Sequence, residues 1–195
     1  MPYDRIYTLS EVSRILYESE LRPRPATGMP GHTLGQHGEL RDDITDKRFK
    51  PVILLAATLE ETRATRPEDG VGTPIAPHKL EPKDGKFLSR KDVIKAVHEA
   101  LNSPGGQQEL RKLNGTANSV KIAVKLVLNQ GKLRAAVCQH PTINTGTKKK
   151  PNLVFVTGPT FYQEGFVDRI VLIVDKLPDP NAGCEIHIQT VYPTL

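Results

Sequence analysis

The sequence predicts an α+β fold in which N-terminal helices pack on a twisted antiparallel sheet. Apolar residues recur every three to four positions before about residue 118, which is typical of helices, and every second position after it, which is typical of strands. The 195 residues fit one domain, and a chain of this length buries roughly 70% of its unfolded surface. The fold is therefore expected to need no disulfide framework.

The first helix is predicted over residues 9–21. Thr8 and Glu11 have the spacing of a capping box, and the apolar residues after them recur at helical steps. Prolines and glycines between residues 23 and 31 then favour an extended connection. Further along, residues 51–66 resemble a buried stretch that runs into a polar helix. Residues 67–86 are rich in Pro, Gly and charge, which predicts a mobile loop.

Another helix is expected after Ser89 and Asp92, which have the spacing of a cap. It is predicted to end at Pro104-Gly-Gly, and a short helix is expected over Gln107–Leu113. One face of the longer helix is apolar and is expected to be buried: Val93, Ile94, Val97 and Leu101.

The second half of the chain is predicted to form the sheet. Apolar residues alternate from Val120 to Leu128, and Asn129-Gln-Gly131 would turn the chain into Leu133–Val137 to complete a hairpin. Three further strands are expected: Leu153–Thr157, Phe166–Asp175 and Cys184–Tyr192.

The last of these strands divides into two faces if its side chains alternate strictly. One face would carry Ile186, Ile188, Thr190 and Tyr192, and the other His187, Gln189 and Val191. Thr190 and Tyr192 are therefore expected to project side by side. Either this face ends in a polar cleft, or the two residues are good strand formers whose hydroxyls meet water at a sheet edge.

Composition limits the function classes. A net charge of +5, from 27 basic and 22 acidic residues, modestly favours a polyanionic partner. The basic run Lys148–Lys150 has two interpretations, a solvated turn between strands or a phosphate contact.

No apolar run approaches the 18 residues of a membrane span, and the N-terminus lacks the order of a signal peptide, which is a basic segment followed by an apolar one. The chain is expected to be soluble, with no export signal of its own.

Metals and cofactors are not expected. Cys138 and Cys184 allow one bridge that nothing in their spacing requires, and two thiolates do not make a cysteine metal site. No cluster of His, Asp and Glu has metal-ligand spacing, and no glycine-rich phosphate loop precedes a helix. A metallonuclease and a nucleotide triphosphate enzyme are therefore disfavoured.

Two polar signatures at opposite ends of the chain suggest an active site. The first is Gly31-His-Thr-Leu-Gly-Gln-His37 followed by Arg48, and the second is Thr190-Val-Tyr192-Pro193. A histidine that titrates near neutral pH, a permanent cation and two hydroxyls suffice to cleave RNA without a metal, if the fold brings them together.

This combination resembles the ribonuclease A-like C-terminal toxin domain of bacterial contact-dependent inhibition and polymorphic toxin systems. The resemblance covers residues 29–195 and leaves residues 1–28 as an N-terminal helical extension. It implies a two-lobed, ribonuclease A-like fold without disulfides, and an endoribonuclease that stops the growth of a target bacterium, often through tRNA.

The resemblance also implies roles for the site residues. His37 would be the base that activates the ribose 2′-hydroxyl, and Arg48 would hold the phosphate. Thr190 and Tyr192 would donate hydrogen bonds to the nonbridging oxygens. His32 would either be the acid for the leaving oxygen or order the loop around His37.

Partners and location follow from a toxic activity. A cognate immunity protein with an acidic surface is expected to protect the producing cell. The protein would act in the cytoplasm of the target cell, delivered as a fragment of a larger secreted protein or as a secreted cargo. Two other function classes stay open: a noncatalytic RNA-binding domain, and a toxin with a different target on a similar scaffold.

Overall fold

The computed structural model shows an α+β fold with antiparallel sheets, as the sequence predicted. It describes residues 2–21, 31, 33, 65–66, 73–74, 83–126, 133–139, 141–156, 161–177 and 186–194. The predicted connection after residue 21, the stretch 51–64 and the turns at 129–131 and 178–183 lie outside these residues.

The described helices lie close to where the sequence put them. They are α1 (Leu9–Leu21), α2 (Arg90–Asn102) and α3 (Pro104–Arg111), and a 3₁₀ turn over Lys112–Asn114 follows α3. None of the described helices has the length and apolar character that crossing a bilayer requires.

The strands are short and antiparallel. In chain order they are β1 (Thr65–Arg66), β2 (Thr73–Pro74), β3 (Lys83–Phe87), β4 (Ser119–Lys125), β5 (Arg134–Gln139), β6 (Thr142–Asn144), β7 (Leu153–Phe155), β8 (Phe161–Phe166), β9 (Arg169–Lys176) and β10 (Ile186–Thr194). One sheet has the order β10-β9-β4, a second has the order β3-β5-β8, and β1-β2 and β6-β7 are separate pairs.

The predicted capping box begins α1. The Thr8 backbone N–H donates to the Glu11 carboxylate at 2.8 Å, and the Glu11 N–H donates back to the Thr8 hydroxyl at 3.2 Å. The Thr8 N–H, then its hydroxyl, and then the nearby Arg5 hold the pKa of Glu11 down from 4.5 to about 2. The backbone N–H groups of Thr8 and Glu11 therefore both have hydrogen-bond acceptors in this first turn.

The junction between α2 and α3 differs from the prediction only in where α3 begins. Ser89 caps α2 by accepting from the Asp92 N–H at 3.1 Å, and α2 ends at Asn102, just before Pro104-Gly-Gly, both as expected. Pro104 then begins α3, because a proline needs no partner at the first helical position. The Ser103 hydroxyl accepts from the Gly106 N–H at 3.0 Å and caps α3, so this helix begins three residues before the predicted start.

A single hydrophobic core joins α1, the α2–α3 pair and both larger sheets. Its fully buried side chains include Leu16 of α1, Leu101 of α2, Leu172 of β9 and Phe87 of β3. The two sheets meet closely at Gly85 of β3, where a Cβ would lie 2.9 Å from the Pro193 carbonyl of β10. The lack of a side chain at Gly85 thus lets the sheets approach.

The predicted hairpin between β4 and β5 is wrong. β4 pairs with β9, whereas β5 pairs with β3 and β8, so the two strands belong to different sheets. Alternate apolar residues of β4 oppose those of β9, for example Ile122 opposite Leu172. Pairing along this shared buried face stabilises the sheet more than a short local turn between β4 and β5 would.

The predicted loop over residues 67–86 is also wrong in part, since β2 and most of β3 lie within it. β3 (Lys83–Phe87) carries charge and a glycine, so its strand character comes from pairing with β5 rather than from its composition. Two strands that the sequence did not indicate, β6 and β8, are short or contain a glycine. Lys148–Lys150 lie in the exposed turn between β6 and β7, where the sequence placed them, and both of their interpretations stay open.

Candidate active site

A β-bulge in β10 decides which side chains share a face. Ile188 opposes Val174 of β9 and Thr190 opposes Ile173, so Gln189 is an extra residue without a partner on β9. Directly opposed residues of an antiparallel pair project to the same face. Thr190 therefore lies on the face of Ile173, not on the face of Ile188.

The sheet β10-β9-β4 consequently has an apolar face and a polar face. The apolar face joins the core and carries these residues of β10: Ile186, Ile188, Val191 and Pro193. The polar face carries His187, Thr190, Tyr192 and Thr194. The expectation that Thr190 and Tyr192 share a face is confirmed, but the expectation that Ile186 and Ile188 share it is wrong.

His187 is the residue that strict alternation misplaced. The sequence set it apart from Thr190, whereas the bulge places both on the polar face. The sequence does contain a signal for the bulge. The apolar residues Ile186 and Ile188 are two positions apart, as are Val191 and Pro193, but Ile188 and Val191 are three positions apart. One extra residue inside a two-residue period is what a bulge produces.

The Thr190 hydroxyl is buried and has no hydrogen-bond partner among the described residues. The residue is 2% exposed, and its Oγ1 atom neither receives nor donates a hydrogen bond there. Leaving a buried hydroxyl unpaired costs about 1–3 kcal/mol. The neighbouring Tyr192 is half-buried. Within the described part of the chain, the hydroxyl of Thr190 is thus a buried polar group on the polar face that no neighbour satisfies.

Ser19, near the end of α1, connects this strand to the first polar signature. Its carbonyl accepts from the Gly31 N–H at 2.8 Å and from the His187 Nε2 at 3.0 Å, and its hydroxyl accepts from the Ile188 N–H at 2.9 Å. A Cβ at Gly31 would lie 2.7 Å from the Ile188 carbonyl. The segment that begins at Gly31 therefore starts against the strand that carries Thr190.

Only part of the predicted site can be placed. His32, His37 and Arg48 lie outside the described residues. Thr33, between the two histidines, is fully buried, and within the described part of the chain its hydroxyl also has no hydrogen-bond partner. Each polar signature thus contributes one buried threonine hydroxyl that no described residue satisfies.

A buried acid lies at one end of the polar face. Asp175 is 1% exposed and opposes His187, with its Oδ2 atom 3.9 Å from the histidine Nδ1. Because the Ser19 carbonyl can only accept, the Nε2 of His187 carries a proton. The Asp175 carboxyl lies on the side of the other ring nitrogen, Nδ1, so His187 is held between the Ser19 carbonyl and an acid.

The β4 side of the polar face is open and basic. Lys121 and Lys125 of β4 project to this face and are exposed, as is Arg169 of the neighbouring β9. Lys125 lies 3.5 Å from the Asp168 carboxylate. The face therefore changes from buried hydroxyl and imidazole groups on β10 to solvated cations on β4.

A pocket of about 600 Å³ lies on the helical side of the molecule. It is formed by the start of α1, by α2, by the start of α3 and by the end of β4, and its polar lining includes Lys95, His98 and Glu99. None of the described residues of the two polar signatures lines it. Among the described residues, no group of three or more His, Cys, Asp or Glu side chains could hold a metal ion.

Comparisons with known proteins give little further information. No family model and no curated protein matches the sequence. Among solved structures, the chain is similar to a CdiA-CT/CdiI complex from Y. kristensenii, with 15% identity, 60% of this chain and 82% of that chain covered, and a TM-score of 0.34. Such a TM-score is below the level at which two chains share a fold, so this likeness assigns neither a family nor an activity.

Proposed function

We propose that this chain is an endoribonuclease that cleaves RNA without a metal ion and acts as an antibacterial toxin. The observation that carries the proposal is the Thr190 hydroxyl, which is buried beside Tyr192 on the polar face and has no partner among the described residues. A buried hydroxyl that is not already engaged can donate to charge that develops in a transition state.

The contact between the two polar signatures supports the same proposal. Gly31 lies against Ser19 and Ile188, so the segment that contains His32 and His37 begins near the strand that carries Thr190. This arrangement suits a reaction that needs an imidazole and hydroxyl donors around one phosphate.

In the proposed mechanism, the ribose 2′-hydroxyl attacks the adjacent phosphorus and the product carries a 2′,3′-cyclic phosphate. His37 removes the proton of the 2′-hydroxyl, and Arg48 offsets the charge of the phosphorane. Thr190 and Tyr192 donate hydrogen bonds to the nonbridging oxygens. His32 either protonates the leaving 5′-oxygen or orders the segment around His37.

The biological role is proposed from the motif resemblance. Such a domain enters the cytoplasm of a competing bacterium and cleaves RNA there, with tRNA as the expected substrate. A cognate immunity protein then protects the producing cell, and an acidic surface on that protein would complement a chain with a net charge of +5.

The test is incubation of total tRNA with the purified chain in excess EDTA, beside a His37→Ala variant. His98→Ala is the matched control, because His98 lies on α2 and lines the pocket on the helical side. We expect cleavage by the wild type and by the control, with 2′,3′-cyclic phosphate ends, and no cleavage by a His37→Ala protein whose circular dichroism is unchanged.

Two results would contradict the proposal. Cleavage that stops in EDTA would replace the metal-independent mechanism with a metal-dependent one. A folded wild type that cleaves neither tRNA nor rRNA nor mRNA would favour the other classes, a noncatalytic RNA-binding domain or a toxin with another target.

A further inference from the structure

We infer that Lys121 and Arg169 bind the RNA phosphates on the two sides of the Tyr192 position. This inference rests on the proposed function for its substrate class. It adds a binding track across the polar face that neither polar signature contains.

Cross-strand pairing gives the geometry of this track. Ala123, Val171 and Tyr192 form one row across the three strands on the polar face. The adjacent row in one direction along the strands contains Lys121, Ile173 and Thr190. The adjacent row in the opposite direction contains Arg169, which lies opposite Thr194. Rows on one face are about 7 Å apart along the strands, so each cation lies one row from Tyr192.

The two cations are available to an anion. Both are exposed, and neither forms an ion pair within the described part of the chain. Lys125 also lies on this face but already pairs with Asp168. The buried carboxyl of Asp175 lies beside His187, one row beyond Lys121 and three rows from Arg169, and it pairs with neither cation. Lys121 and Arg169 are therefore exposed cations without an ion-pair partner among the described residues.

The floor between the cations leaves room for a strand. Ala123 is exposed and small, and Val171 and Ile173 are half-buried. An apolar floor with a tyrosine at its edge suits ribose and base, while long cationic side chains reach the phosphates. An RNA strand that runs along β9 over this floor would pass beside the half-buried Tyr192, with one cation in the row on each side of it.

The test measures binding and is independent of cleavage. The probe is a 2′-O-methyl RNA of about 12 nucleotides, which cannot undergo the 2′-hydroxyl reaction, titrated at several salt concentrations. The variants are Lys121→Ala, Arg169→Ala and the double variant. Lys95→Ala is the matched control, an exposed lysine on α2, which packs on the opposite face of the sheet.

Each single variant should weaken binding about three- to ten-fold at 0.1 M salt and lower the slope of log K against log salt by about 0.7. The double variant should show both losses together, and Lys95→Ala should match the wild type. Lys121→Glu should weaken binding more than Lys121→Ala.

The inference is overturned if the wild type does not bind the probe, or if the control loses as much affinity as the single variants. It is also overturned if the variants bind RNA normally but lose an acidic protein partner. If the wild type does not cleave RNA but these variants lose binding of the probe, the binding track is supported and the proposed catalysis is contradicted. If the wild type cleaves RNA but these variants bind the probe normally, the catalysis is supported and the binding track is contradicted.

Discussion

The two faces of the β10-β9-β4 sheet differ in what they bury. On the face toward α2 and α3, Leu172 and Val191 are fully buried in a continuous apolar core. On the opposite face, β10 and β9 bury an imidazole, a carboxyl group and a hydroxyl, and no described residue is a hydrogen-bond partner of the Thr190 hydroxyl. Apolar burial stabilises the fold, whereas an unpaired buried hydroxyl reduces stability. The polar face is thus the one suited to a ligand.

The bulge at Gln189 separates these two faces. It lets Ile188 and Val191 both reach the core although they are three residues apart. If Val191 is deleted, either Thr190 or Tyr192 must enter the core face, which should reduce the free energy of unfolding by about 4 kcal/mol or more.

Deletion of Gln189 is the matched control. Without the extra residue, Thr190 still opposes Ile173 and Val191 still opposes Leu172. The free energy of unfolding of this variant should therefore stay within about 1 kcal/mol of the wild-type value. Urea unfolding followed by circular dichroism measures the free energy of unfolding of both deletion variants. Equal losses in the two deletion variants would contradict the assignment of the faces.

Substitutions on β9 sharpen the same comparison. Leu172→Ala removes a fully buried side chain from the apolar face and should cost about 2–5 kcal/mol. Ile173→Ala removes a half-buried side chain from the polar face and should cost about 1 kcal/mol. Chemical denaturation of the pair tests this, and a larger loss for Ile173→Ala would mean that the polar face is the better packed one.

Gly31 tests how the first polar signature meets the polar face. In Gly31→Ala, the new Cβ would lie 2.7 Å from the Ile188 carbonyl and 3.1 Å from the Ser19 carbonyl, both of them backbone atoms. We expect a loss of about 1–3 kcal/mol together with reduced RNA cleavage. Gly115→Ala is the control, since its nearest contact would be 3.6 Å. Wild-type stability of Gly31→Ala would show that this segment does not lie against β10.

Local sequence patterns predicted the helices better than the pairing of strands. The capping residues Thr8 and Ser89 act on backbone atoms a few residues away, so the sequence is sufficient to place the starts of α1 and α2. Whether β4 pairs with β5 or β9 depends on distant side chains, and the predicted hairpin was wrong for that reason.

The candidate site shows the same limit. The sequence predicted that Thr190 and Tyr192 project together, because alternation holds after the bulge. It did not place His187 with them, nor could it show that Ser19 ties Gly31 to β10, since these contacts join residues more than ten positions apart or across the bulge. The roles of His32, His37 and Arg48 stay predictions.

A smaller effect is expected at the opposite end of α1 from Ser19. The pKa of Glu11 is lowered from 4.5 to about 2, first by the Thr8 backbone N–H. A depressed folded-state pKa adds stability that is present above pH 4.5 and is lost as the pH falls toward 2. At pH 7, Glu11→Gln should therefore have a lower free energy of unfolding than the wild type. As the pH falls from 4.5 toward 2, its free energy of unfolding should decrease less than that of the wild type. Urea unfolding midpoints measured against pH test this, and parallel curves for the two proteins would contradict it.

Thr190→Val most directly tests whether the polar face is a catalytic site. The substitution keeps the shape of the side chain and removes a buried hydroxyl that has no partner in the part of the chain that the structure describes, so the free energy of unfolding should stay equal or rise by about 1 kcal/mol. Thr194→Val is the control, a hydroxyl on the same face that donates to the Arg169 carbonyl. We expect Thr190→Val to lower the rate of RNA cleavage in EDTA by about 10²–10³-fold and the control to cleave like the wild type. Wild-type cleavage by a folded Thr190→Val protein would contradict the account.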